Sequence, residues 1–315
     1  MFSHVDIRSM DVLGWLSDSA ARVRSDGADG ARESLRPAYH KGLQGLSRLR
    51  PPGTPIYDRD WDLLVVVDAC RLDLMREVAP GYGFVDEVRA VRSLDSMTLQ
   101  WMRRNFVPEY GAEMAETAYV CGNPFSAEAL DADEFRALDE VWRYVWEDPG
   151  TVPPRAITDR TVAAAREHDP DRIVAHYMQP HCPFLSRPEM TRGKRLDRFG
   201  DQEWEDVWQK LRAGRVGREE VWAGYRENLE LAMDDVELLL ANVDADRAVI
   251  TSDHGNALGE WFVYGHPPGM PMDCLRVVPW IETTAVDRGT HEPTTEAESG
   301  TETDRAAQLA ALGYV

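Results

Sequence analysis

The chain has 315 residues, 43% of them hydrophobic and 9% aromatic, enough for one large α/β domain or two small ones and too apolar for a wholly disordered chain. Asp and Glu number 55 against 35 for Lys and Arg, a formal charge of −20, and such a field repels phosphate backbones and argues against a general nucleic-acid binder. Nearly all the positive charge is Arg, the lysines being Lys41, Lys194 and Lys210, a balance expected of a halophilic acidic protein working in concentrated salt.

Residues 1–56 read as a polar N-terminal extension. An amphipathic helix is predicted near Val12–Val23, a Gly/Asp break falls at Ser25–Gly30, and the Pro-rich RPPGTP closes the section at Pro55. Acids interrupt the opening residues where a leader needs an apolar run, and no stretch is apolar for long enough to span a bilayer. A strap packed on the domain is therefore expected in preference to a membrane anchor, and the cytoplasm is the expected compartment. The core, residues 57–282, opens with WDLLVVVDACR from Trp61, whose five consecutive apolar residues read as a buried parallel strand. A shorter strand is predicted at Thr117–Asn123, and two further buried strands at Arg172–Met178 and Arg247–Asp253. Between the last two, Leu229, Met233, Val236 and Leu240 share one face of a long helix. Strands alternating with helices imply an α/β fold, a mostly parallel central sheet with helices on both faces. Residues 283–304, rich in Thr, Glu and Gly, read as an acidic flexible linker, and residues 305–315 as a short helix packing back. Cys70, Cys121, Cys182 and Cys274 are scattered and suggest neither a zinc knuckle nor a disulfide framework.

Open sheets place ligands at the carboxyl ends of their strands. Asp68 follows the first strand, Pro180 and His181 the second, and Ser252, Asp253 and His254 the third. All three strands thus end in residues suited to metal binding or acid–base chemistry. Gly255 is read as permitting a sharp exit after Asp253-His254.

TSDHGNALGEWFVYGHP carries Asp253-His254-Gly255, then Gly259-Glu260, then Gly265-His266, and resembles the SDHG, LGE and GH signature of the sulfatase and alkaline phosphatase superfamily. WDLLVVVDACRLD is similar to that family's first strand, with Asp68, Arg71 and Asp73 at its functional positions. HYMQPHCPF, from His176 to Phe184, is similar to its H-x-x-x-P-H-x-P-aromatic segment. LRVVPW at Leu275–Trp280 and the terminal LAALGYV match further family segments. The resemblance implies a three-layer sandwich in which Asp68, Asp253 and His254 hold a divalent metal, Zn or Mn before Mg or Ca. It also implies that His181 and His266 bind the anionic group, complete a second metal site or protonate the leaving oxygen.

Two departures bear on the reaction. No cysteine stands in the C/S-x-P-x-R motif from which formylglycine is made, and the paired Asp-Asp of many sulfatases is Asp68-Ala69 here. The nucleophile is then a hydroxyl, and RSLDSMTLQWMRRNF offers Thr98 or Ser96 at the start of a helix, where N–H groups favour an oxyanion. A plain capping role for Asp95, Ser96 or Thr98 is the alternative. Arg71 either holds the substrate's anion or pairs with Asp73, and His176 either contacts substrate or is simply buried. Trp101, Trp261 and Phe262 line a sugar-sized pocket or belong to the core. The expected activity is metal-dependent hydrolysis or transfer of a phosphate ester, less readily a sulfate ester, on a small or glycan- or lipid-linked anionic substrate. The rival from another class is a non-catalytic, metal-binding member of the fold acting on glycans or in an assembly. A phosphoacid mutase would need an inserted domain larger than Leu185–Trp222 provides.

Overall fold

The computed structural model describes residue 24 and residues 34–190 and 206–297, and divides into two compact units, Met1–Pro51 and Pro52–Val315. The boundary falls within the Pro-rich connection, a few residues before the expected position. In the first unit a helix runs over 34–47. The helix expected near Val12–Val23 and the terminal one at 305–315 lie outside the described residues.

The second unit is built on seven strands: β1 (Leu63–Val67), β2 (Arg89–Arg92), β3 (Thr117–Cys121), β4 (Ala137–Glu140), β5 (Arg172–Tyr177), β6 (Ala245–Thr251) and β9 (Val277–Ala285). Their order is β2-β9-β6-β1-β5-β3-β4, and β6 through β4 run parallel to one another. Strand β9 is antiparallel to both β6 and β2. A separate hairpin pairs β7 (Ala257–Leu258) with β8 (Tyr264–Gly265). The five described helices of the second unit longer than one turn and a half are α1 (Leu72–Val78), α2 (Thr98–Asn105), α3 (Pro154–His168), α4 (Val207–Arg212) and α5 (Arg218–Leu240).

The sheet is apolar on both faces because its central strands are apolar at every position. In β1, Leu63, Val65 and Val67 join one cluster, with Leu74 and Met75 of α1, Ile157 and Val162 of α3, and Tyr225, Leu229, Met233 and Val236 of α5. Leu64 and Val66 point the other way, into a cluster with Leu99, Trp101 and Met102 of α2 and the rings of Tyr57, Trp61, Phe106, Phe125 and Phe135. Each such side chain contributes about 1.5–3 kcal/mol on burial. The alternation also selects the site. Carried one residue past β1 and two past β6 and β3, it puts Asp68, Asp253 and Asn123 on the α2 face, the face that His176 already occupies within β5.

The linker reading is corrected at its start. Thr283–Ala285 completes β9, and the following residues are tied to the domain. The fully buried carboxylate of Asp159 on α3 accepts from His291 Nε2 at 2.6 Å, and from the backbone N–H and hydroxyl of both Thr294 and Thr295 at 2.9–3.0 Å. Asn242 Oδ1 accepts from the N–H groups of Thr290 and His291. Polar composition reads as mobility only while its partners are unknown, and here the partners lie far away in sequence.

Candidate active site

Three elements converge where β1 and β6 end. Asp68 leaves β1, Asp253 and His254 leave β6, and Thr98 is the first residue of α2. One ligand atom each from Asp68, Asp253 and His254 lies within 4.8 Å of the others. His254 Nε2 is 3.3 Å from Asp253 Oδ2 and 3.8 Å from Asp68 Oδ1. Thr98 Oγ1 lies 3.1 Å from His254 Nε2 and 3.5 Å from Asp68 Oδ2. All four residues are fully buried.

Local backbone geometry holds these groups in place. Ala69 adopts φ 62°, uncommon for a residue with a side chain, and this turns its N–H onto Asp253 Oδ1 at 2.9 Å. The N–H of His254 reaches the same oxygen at 2.9 Å. The Tyr225 hydroxyl donates to the Ala69 carbonyl, and Ser252 Oγ accepts from Cys70 N–H at 2.8 Å while donating to the His254 carbonyl. Gly255 has an ordinary φ; it is needed because a Cβ would run into the Cys274 carbonyl, a close-approach requirement in place of the sharp turn expected.

Asp68 Oδ1 and Asp253 Oδ2 are buried with no hydrogen-bond partner among the described residues. Burial, then the charge of Asp253, holds the Asp68 carboxyl well above its usual range. Burial pushes Asp253 the same way, but His254, His176 and the Ala69 N–H outweigh it and its pKa is lowered. Two acids, an imidazole and two bare oxygens make a donor set short of a positive charge, and a divalent cation fits it. His254 is oriented for this role, since its Nδ1 lies 2.8 Å from the Gly255 carbonyl and its Nε2 faces the acids.

Beside this cluster His266 stacks on His254 with ring centroids 4.6 Å apart, and its Nε2 is 3.0 Å from His181 Nε2. Burial lowers His181 to about 4 and takes His266 well below its usual value, helped by its imidazole neighbours. Both are therefore neutral near pH 7.

The remaining expectations divide. Ser96 Oγ donates to the Pro267 carbonyl at 2.6 Å and accepts from Met270 N–H at 2.9 Å, so its hydroxyl ties down the loop that carries His266. Of the two readings of Arg71, the structure shows the pairing: its guanidinium is bidentate to Asp73 at 2.8 and 2.6 Å and reaches Glu260 and the Asn256 carbonyl. His176 is buried within β5, Nδ1 2.8 Å from the Tyr119 hydroxyl and Nε2 3.8 Å from Asp68 Oδ2. Burial lowers it to about 4. Trp101 is in the core against His176, while Trp261 and Phe262 are exposed on the turn between β7 and β8. Asn123 escaped the sequence reading. Its Nδ2 donates to Asp68 Oδ2 at 2.7 Å and its Oδ1 accepts from Phe125 N–H. The signal was its place two residues beyond Cys121, on the α2 face of β3.

The chain thus has an α/β fold with a mostly parallel central sheet, and an acid–imidazole–hydroxyl cluster at the carboxyl ends of its central strands. No known family profile and no curated protein matches it. Among solved structures it is similar to the soluble domain of lipooligosaccharide phosphoethanolamine transferase A from Neisseria meningitidis, over 76% of this chain and 81% of that one, at 11% identity and a TM-score of 0.49. It is also similar to the C-terminal periplasmic domain of phosphoethanolamine transferase EptC from Campylobacter jejuni (70% and 78% covered, 16% identity, TM-score 0.45). A putative sulfatase from Bacteroides thetaiotaomicron shows 13% identity over 80% of this chain and 70% of that one, at a TM-score of 0.44.

Proposed function

We propose that this protein is a metal-dependent enzyme that transfers or hydrolyses phosphate esters, in preference to sulfate esters, through a covalent intermediate on Thr98. The observation that carries the reading is the Thr98 hydroxyl at the first turn of α2, within 3.5 Å of both Asp68 and His254. Asp68, Asp253 and His254 would hold the cation, and their mixed oxygen and nitrogen donors suit Zn or Mn before Mg or Ca. A divalent cation there supplies charge neutralisation and favours the ionised form of a neighbouring hydroxyl.

The chain's own residues account for the rest. Thr98 Oγ1 attacks phosphorus and its proton passes toward Asp68 Oδ2, the carboxylate oxygen within reach. The bond from phosphorus to the leaving oxygen breaks as the Thr98–phosphorus bond forms. The leaving oxygen takes a proton from the His181–His266 pair, which an incoming anionic ester brings to its charged form. The first N–H groups of α2 face the negative oxygens of the phosphothreonine. Water or an acceptor alcohol then gives a proton back to the imidazole pair and attacks phosphorus as the Thr98–phosphorus bond breaks, and Thr98 Oγ1 recovers its proton from Asp68 Oδ2. A hydroxyl nucleophile and the lack of a formylglycine motif support phosphate over sulfate.

Thr98→Ala should reduce turnover of an aryl phosphate by about 10³-fold or more, at unchanged metal content, and abolish the phosphothreonine trapped at acid quench and read by mass spectrometry. Ser96→Ala should keep that intermediate and act mainly by loosening the His266 loop. Wild-type turnover in the Thr98 variant would discard the covalent mechanism. Bound metal with no turnover of either ester by the wild type would favour the non-catalytic binding role.

A further inference from the structure

The helix over 34–47 carries an apolar stripe that the fold leaves in solvent. Leu35 is 61% exposed, Tyr39 41%, Leu46 49% and Leu49 82%. Leu49 continues the stripe just past the helix, its N–H bonded to the Leu46 carbonyl at 3.0 Å. At about 100° per residue these four positions fall within an arc of about 80°. The exposed large apolar residues of the second unit are scattered, apart from the Trp261–Phe262 turn. Arg36, Lys41, Arg48 and Arg50 surround the stripe, and no acid occurs from Ser34 to Tyr57, in a chain whose formal charge is −20. Basic charge is thus concentrated where apolar side chains are exposed.

The helix is also weak by itself. Gly42 and Gly45 each cost about 0.5–1 kcal/mol relative to Ala, and a Cβ at either would meet nothing within 4 Å, so packing does not require them. A helix of a globular protein gains most of its stability by burying an apolar face.

We infer that residues 34–50 are an interfacial anchor that lays this stripe into a lipid surface carrying anionic headgroups. The leucines and Tyr39 enter the acyl boundary and the four cations meet the phosphates, as for other basic amphipathic helices. Charge selects this occupant, because an anionic surface attracts the segment and repels the acidic remainder. No helix among the described residues is long and apolar enough to cross a membrane, so the attachment is peripheral. The inference stands apart from the chemistry proposed for Thr98.

Co-sedimentation of the full chain with vesicles tests it, using phosphatidylcholine alone and phosphatidylcholine with about a third phosphatidylglycerol. The chain should pellet with the anionic vesicles and less with the neutral ones. Leu46→Ser with Leu49→Ser should weaken partitioning by at least about tenfold, and Lys41→Gln with Arg48→Gln by about fivefold for each charge removed. Leu231→Ser, an exposed leucine of α5, should change nothing, and circular dichroism should show every variant folded. The inference falls if the wild type stays in the supernatant, or if both double variants partition as it does. It falls equally if lipid-free protein associates with itself and the leucine variant abolishes that, which assigns the stripe to a second copy.

Discussion

Asp68 and Asp253 are fully buried, and each holds one oxygen with no partner among the described residues. Without a counter-charge, only one of two such acids stays ionised readily, and Asp253, which takes the Ala69 and His254 N–H groups, is the one. Asp68 is therefore the group that gives up its proton when a cation arrives. Its folded pKa is raised, so its contribution to stability is complete below its unfolded value near about pH 4 and is lost as pH rises through the folded value. Near neutral pH the site costs stability that a cation restores. Zn or Mn should bind more tightly as pH rises, release protons on binding, and raise the unfolding temperature. Calorimetry in two buffers of different ionisation enthalpy reads the protons, and an identical heat in both would contradict this account.

Among the elements, α3 and the segment after β9 had no distinct pattern to announce them. The pattern of α3 mixes Thr, Asp and Arg with Ala, and many of those polar residues are buried because they find partners: Asp159 holds the segment after β9, and Arg160 pairs with Asp139 at 2.7 Å. Burial opposes the charge of Asp159, yet His291, Thr294 and Thr295 together lower its pKa. Its contribution is thus present above the unfolded value and is lost as pH falls through the folded one. Asp159→Ala should cost about 3 kcal/mol in urea unfolding at neutral pH by stranding several donors. The variant should also show a shallower loss of stability toward acid. A cost below about 0.5 kcal/mol would mean the segment is held by other contacts. Strands β2 and β4 escaped notice for a related reason. Each is four residues long and partly exposed, so neither shows the unbroken apolar run that marks β1, β5 and β6.

At the scale of the whole molecule, charge dominates. A formal −20 makes the acidic groups repel one another in the compact state, and salt screens that repulsion over a Debye length of about 10 Å at 0.1 M and about 3 Å at 1 M. The unfolding temperature should rise between those concentrations of KCl, and a flat or falling trend would show that local ion pairs such as Arg187–Glu227 outweigh the global field. The same field bears on the substrate. An anionic ester would have to reach buried Asp68 and Asp253 against it, and a cation held there would offset that repulsion.

The sequence by itself determined the central strands and the residues at their ends, because a strand buried on both faces must be apolar throughout and so leaves an unbroken mark. Asp68, Asp253, His254, His181 and His266 follow from those marks and from short motifs around them. Only the tertiary structure placed Thr98 beside His254 and Ser96 against Pro267, paired Arg71 with Asp73, added Asn123 and tied residues 291–295 to α3. Each of these depends on which hydroxyl, guanidinium or amide finds a partner across a long stretch of chain. Local spacing fixes the face a side chain points toward, whereas the group it meets is fixed by strand order and register.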